Sequence, residues 1–399
     1  MFKRLTWFLL LTLTACASPA DLPADAPTRA TATLTALPST LTPSPSPAPT
    51  STQTALQAIQ PYTIAGLRQH EYQSGEVTVL GQIEETKDFI SYLIEYPSDG
   101  LNIRGVMQIP TRGEPPYPVI VMNHGWFART EYRSGDGTNR AAEYLNTRGY
   151  LTISSDYRSW ATSDVGSSLF YSGLAIDVVN LLAAIPSIPE ADANRVGMWG
   201  HSMGGGVTMK VMTIVGNNPN LTRSERSEAQ TKSDGASEPQ SKNDAMQVRA
   251  AVLYNTVSAD QDDLIERWGP GCFGDISMGE SRLDCNSSDV IPLDLPLELL
   301  NAYMFTVDDP NLMKLISPIH HLTYVTAPVQ IHYGEWDGEE LSGAPPEWSI
   351  KLFDAFIAAN KPVKLIEYEG QRHSFINVAW YHFMDTVAKF FDEYVKFAE

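Results

Sequence analysis

Residues 197–210 read GMWGHSMGGGVTMK, an apolar run that meets Ser202 between Gly200 and Gly204 and then becomes helix-like. A serine hydroxyl is a weak nucleophile until a base takes its proton, and it must stand clear of its neighbours to reach a carbonyl. A strand that turns directly into a helix exposes it, provided the flanking positions carry no side chain to collide. Gly200 and Gly204 fill those positions. The start of the helix also aims backbone N–H groups at the same point, which makes the Met203 N–H a candidate oxyanion donor.

On such a turn the acid and the histidine follow the serine in chain order. In VKLIEYEGQRHSF, His373 stands just past a strand-like run, whereas His332 lies inside one and His382 falls in the last helical stretch. His320 and His321 sit in or near an insertion, and His201 adjoins the serine on the wrong side of the turn. For the acid, VQIHYGEWDG offers Asp337 past another strand end, with Glu335 and Glu339 as rivals; position favours Asp337. A second oxyanion donor is expected from the loop NHGWFART, where Gly125 lets the backbone approach and the Trp126 N–H pairs with that of Met203. The Trp126 indole either packs or lines the substrate pocket.

Strands have to carry these groups to one edge. The run PVIVM at 118–122 is continuously apolar, as a strand buried on both faces must be. Strand-like runs at 150–155, 195–200, 248–255, 327–334 and 363–370 follow, alternating with helix-like stretches near 137–148, 170–185, 203 onward, 346–360 and 378–397. Three alternating segments before them, at 76–83, 88–95 and 102–110, read as antiparallel strands. The expectation is an α/β fold with one mostly parallel sheet, in a domain spanning 59–399.

Two stretches interrupt the alternation. Residues 216–247 are polar and Ser-rich and read as a disordered loop; residues 258–318 hold enough apolar side chains to form a cap over the sheet edge. Cys272 and Cys285 within that insertion are expected to form a disulfide, stabilising by about 3 kcal/mol in a chain-entropy picture.

The chain opens MFKRLTWFLLLTLTACASPA: two cations, a short apolar run, then small residues at a cut site. The Leu-Thr-Ala-Cys ending resembles a bacterial lipobox, which implies that Cys16 carries a lipid and that residues 1–16 are a lipoprotein signal peptide. Residues 17–58, rich in Pro, Ser and Thr, have too little apolar surface to offset ordering and read as a tether. The expected location is extracytoplasmic, anchored to a bacterial membrane. A net charge of −19 disfavours nucleic acid as a partner. No metal-ligand spacing and no dinucleotide fingerprint occurs, so no cofactor is expected.

The pieces SDGLNIRGVMQIP, PVIVMNHG, SSDYR, ADANRVGMWGHSMGG, PVQIHYGEWDG and GQRHSF resemble, in content and order, the α/β-hydrolase superfamily. Within it, prolyl oligopeptidase-family catalytic domains and dienelactone-hydrolase-like esterases are the nearest group. The resemblance implies an eight-stranded, mostly parallel sheet and a Ser202–Asp337–His373 triad. It departs from the family pattern in two places: Trp126 stands where a second glycine is usual, and Ser159-Trp160 follows Arg158 where glycine is frequent. Those peptidases carry a large propeller domain in front, whereas only about thirty folded residues precede the resemblance here. The expected function is hydrolysis of a small carboxylic ester. Cleavage of short peptides is the alternative, and a non-catalytic tethered binding lipoprotein is a third reading.

Overall fold

The computed structural model describes residues 52–73, 75–221, 246–274, 290–292 and 295–397. Its strands are β1 (Thr78–Glu85), β2 (Phe89–Ser98), β3 (Leu101–Pro110), β4 (Tyr117–Asn123), β5 (Leu151–Ser155), β6 (Ala191–His201), β7 (Ala250–Tyr254), β8 (Cys272–Gly274), β9 (Val290–Pro292), β10 (Val329–Gly334) and β11 (Val363–Tyr368). The helices are α1 (Thr52–Ile59), α2 (Ile64–Gln69), α3 (Asn139–Asn146), α4 (Ser172–Ala184), α5 (Met203–Val215), α6 (Gln261–Trp268), α7 (Leu297–Val307), α8 (Pro310–Ile316), α9 (Pro346–Ala358) and α10 (Asn377–Phe391).

Nine strands make one sheet in the order β1-β2-β3-β5-β4-β6-β7-β10-β11; β8 and β9 pair separately. The first three strands and the β3–β5 junction are antiparallel, and every pair from β5 to β11 is parallel. The sheet thus has one strand more than the eight that the family resemblance implies, and its nine strands correspond to the nine strand-like runs of the sequence. The first of them, β1, is an edge strand exposed along its whole length.

Alternation of side chains divides the core between two faces. On β4, Val119 and Val121 join the larger cluster with α4, α5 and α9, while Ile120 and Met122 face α3 and α10. A strand with helices on both faces has no polar side, and all seven residues of β4 are buried. The fully buried α5 likewise has no polar face. By contrast α10 buries Trp380, Phe383, Met384, Val387 and Phe391, a single stripe at helical spacing.

Two expected boundaries need correction. The tether assigned to 17–58 runs into α1, whose Ala55 and Ile59 are fully buried against Ala302 of α7 and Leu312 of α8. That helix forms because its small and apolar positions find a partner in the insertion. The loop assigned to 216–247 is ordered at both ends, where Leu221 and Met246 enter the main core; residues 222–245 lie outside the described residues. Among the described residues of the insertion expected at 258–318 are α6, α7 and α8, and Tyr303, Met313 and Ile316 cluster there with Leu169 and Phe170. Cys285 and residues 1–51, which include Cys16, lie outside the described residues, as does the Cys272 side chain.

Candidate active site

Ser202 sits between β6 and α5 with φ 55° and ψ −123°, a left-handed backbone that a non-glycine residue adopts only when its surroundings enforce it. The enforcement is visible. The Ser202 N–H donates to the Tyr254 carbonyl (3.0 Å), and its carbonyl accepts from Val257 N–H (3.1 Å), so both sides of its peptide are tied to the end of β7. Close packing accounts for the flanking glycines. A methyl on Gly200 would strike the Gly204 carbonyl and Thr208, and one on Gly204 would strike the Asn123 and His124 carbonyls.

The Ser202 hydroxyl donates to His373 Nε2 at 2.8 Å. His373 Nδ1–H in turn lies 2.9 and 3.0 Å from the two Asp337 oxygens. Asp337 is buried at the end of β10 and also accepts from the Gly338 (2.8 Å) and Ala344 (3.0 Å) amides, which fix its plane. An acid held this way keeps the His373 proton on Nδ1 and leaves Nε2 free to accept from serine. The rivals for the acid position serve elsewhere: Glu335 caps the Gly370 N–H at 2.8 Å, and Glu339 pairs with Arg372.

The expected oxyanion loop lies beside the serine, since a methyl built on Gly125 would come within 3.1 Å of Ser202 Cβ. Among the described residues, the N–H groups of Trp126 and Met203 have no acceptor on the protein. The Trp126 indole is 47% exposed, available to a substrate rather than buried as packing. Behind the loop lies an aromatic stack: His124, fully buried, is sandwiched between Tyr132 (4.4 Å) and Tyr157 (4.3 Å). Burial lowers the His124 imidazole to about 4, so it is neutral near pH 7.

Asp156, past the end of β5, holds the far side of this loop. It accepts from Tyr132 Oη (2.9 Å), Ser134 Oγ (2.5 Å) and Gly135 N–H (3.3 Å). Burial raises its carboxyl to about 6, against the pull of those three donors. Next to it, Arg158 places three donor nitrogens on the buried Asp177 at 2.8–3.2 Å. Ser159 takes φ 70°, the conformation that explains why glycine is frequent there.

Some functional neighbours were missed by sequence reasoning. His201 was placed on the wrong side of the elbow, yet its Nε2 lies 3.0 Å from the His373 carbonyl and its ring 4.9 Å from the His373 ring. Burial, with the His373 charge next, lowers it to about 3. Asn255 carries no signal in the sequence, yet its side chain bonds to the loop that carries His373 and to Gly334 at the end of β10, which leads to Asp337. No local pattern marks such a residue, because its partners are more than seventy positions away. The insertion reaches the site through α6, where Arg267 Nη2 donates to the Gly338 (2.9 Å) and Glu340 (2.7 Å) carbonyls of the acid loop.

Known proteins share this architecture. Residues 85–221 match the family model of acetyl xylan esterase (AXE1). Lysophosphatidylserine lipase ABHD12 of Xenopus tropicalis is 36% identical over 96 residues, which are 24% of this chain and 23% of that protein. A puromycin-hydrolyzing peptidase of Mycobacterium tuberculosis superposes at TM-score 0.52 and 17% identity, covering 77% of this chain and 40% of the peptidase. This chain therefore spans less than half the length of both. Est1E of Butyrivibrio proteoclasticus, solved with ferulic acid, gives TM-score 0.51 and 16% identity over 76% of this chain and 99% of its own. An acetyl xylan esterase from Paenibacillus sp. R4 gives TM-score 0.51 and 14% identity, over 86% and 95%. With the strand order and the serine-bearing turn, these likenesses show that the chain has an α/β-hydrolase fold, shared with structurally similar esterases and a peptidase.

Proposed function

We propose that the chain is a serine hydrolase that cleaves carboxylic esters through an acyl-enzyme. The observation that carries this reading is the continuous relay from Ser202 Oγ through His373 to Asp337. Ser202 Oγ attacks the ester carbonyl carbon as His373 Nε2 takes the hydroxyl proton. The carbonyl oxygen gains the charge and is held by the Trp126 and Met203 N–H groups. Collapse breaks the bond to the alcohol, which leaves with the proton from His373. Water, deprotonated by the same nitrogen, then releases the acid and restores Ser202. Asp337 stays ionised and stabilises the imidazolium. No step calls on a metal or cofactor.

An ester is preferred to a peptide because the family model matching residues 85–221 is that of an esterase. A second proposal concerns location: the N-terminal Leu-Thr-Ala-Cys supports lipid attachment at Cys16, which radiolabelled palmitate incorporation into wild type but not C16S would test.

Labelling with a fluorophosphonate probe tests serine catalysis. Wild type should label and Ser202→Ala should not; an unlabelled wild type would leave the binding-lipoprotein reading. Turnover of p-nitrophenyl acyl esters but not aminoacyl p-nitroanilides is expected, and the reverse preference would make the protein a peptidase.

A further inference from the structure

Asn255 is 1% exposed and follows β7 with φ 43°, a left-handed conformation that asparagine tolerates better than other side chains. Its side chain spends both ends on the site. Nδ2 donates to the Arg372 carbonyl (3.0 Å) and the His373 carbonyl (2.8 Å), while Oδ1 accepts from the Gly334 N–H (2.8 Å). Gly334 closes β10, three residues before Asp337. The Asn255 N–H donates to the His332 carbonyl of the same strand at 2.8 Å. Its chain neighbours Tyr254 and Val257 hold both ends of the Ser202 peptide. One short segment therefore touches the supports of all three triad residues.

We propose that Asn255 is a positioning residue that sets the register of the triad, fixing the His373 loop against the Asp337 loop from the strand end that also holds Ser202. This rests on the serine-hydrolase reading above. The geometry makes the role specific to an amide. Two carbonyls on one side require two donors, and an N–H on the other requires an acceptor; a side-chain amide offers all three from one planar group, and Gln would displace them by a methylene. The His373 carbonyl receives a second donor, His201 Nε2 at 3.0 Å, so the peptide carrying the base is gripped from β6 and β7 together. Since a carbonyl only accepts, His201 carries its proton on Nε2. Groups facing the His373 ring are Asp337 from the β10 loop and His201 from the elbow, with the Arg372–Glu339 pair further out.

Two variants test it. Asn255→Asp keeps the size and the acceptor for Gly334 but turns an oxygen toward two carbonyls. Asn255→Ala removes all three bonds. With p-nitrophenyl acetate, both should lower kcat about tenfold to a hundredfold with KM within about threefold, the signature of a base misplaced by a fraction of an ångström. A carboxylate at this point also favours imidazolium, so the acid limb of the kcat–pH profile should move to higher pH in N255D and not in N255A. His373 ring signals in histidine-labelled protein, followed by NMR across the same pH range, should shift likewise. Thermal melting identifies conditions where each variant is folded, so loss of structure is separated from loss of register. Wild-type kcat and an unmoved His373 titration in folded N255D would overturn the proposal. An inactive wild type would overturn the hydrolase reading instead, and the NMR comparison would still decide the position of His373.

Discussion

Asp337 meets His373 Nδ1 with both carboxylate oxygens, at 2.9 and 3.0 Å, while one of those oxygens also accepts from two backbone amides. An imidazole held this way has one tautomer and one orientation, and both suit a base for Ser202. Asp337→Asn offers an N–H where the ring needs an acceptor, which favours the wrong tautomer. Its kcat for an activated ester should fall by about 10⁴-fold with KM little changed. Steady-state kinetics checks this; a loss below tenfold would mean that Asp337 does not orient the base.

Trp126 separates backbone from side-chain roles. Trp126→Ala keeps the N–H aimed at the oxyanion and should change kcat only a few-fold, with any larger effect in KM. Trp126→Pro removes the N–H and should cost about 10²–10³ in kcat, the usual effect of losing one oxyanion donor. Equal kcat losses in the two variants would move the oxyanion role away from this amide.

Gly204 lies against the carbonyls of Asn123 and His124, rigid backbone at the end of β4. Gly204→Ala should therefore displace the loop carrying Trp126 as well as α5. Overpacking of this kind costs about 1–3 kcal/mol. A lowered Tm together with reduced fluorophosphonate labelling is expected, and an unchanged melting curve would contradict the contact.

Buried neutral histidines make the fold acid-sensitive. His124 and His332 are fully buried, and burial lowers them to about 4 and about 3 from 6.5. Stability from these two is fully present above about pH 6.5 and is lost as pH falls, because only the unfolded chain binds the protons. Asp156 has the opposite sign. With its carboxyl raised to about 6, the folded chain holds a proton that the unfolded chain has lost, so its contribution falls as pH rises from about 4 to 6. Removing that opposing contribution in Asp156→Asn should steepen the rise of stability with pH in this window by up to about 1.4 kcal/mol per pH unit. Urea unfolding of both proteins at several pH values measures it; parallel curves would show that Asp156 is not protonated in the fold.

Much of the site was legible because its parts are local. The elbow GHSMG is a contiguous pattern whose glycines are required by contacts within a few residues and with one neighbouring strand. Asp337 and His373 announce themselves as polar residues just past apolar runs that can only be buried strands. The alternation of those runs with helical stretches determined the class of fold, because a strand apolar on both faces needs helices on both sides. The strand-like runs were legible as well, the run at 76–83 included, although the β1 it forms is an edge strand exposed throughout.

Tertiary structure decided what depends on partners distant in sequence. Residues 52–58 look like the rest of a Pro/Ser/Thr-rich tether, and they become helical because α7 and α8 cover Ala55 and Ile59. His201 looks redundant beside Ser202 until the His373 carbonyl, 172 positions later, arrives to accept a hydrogen bond from its ring. Asn255 is an ordinary strand-end residue in sequence, and only the closing of β10 and the His373 loop around it gives each end of its amide a partner. Local pattern reports which side chains must be buried or exposed; which buried polar groups satisfy one another is fixed only when the strands are placed side by side.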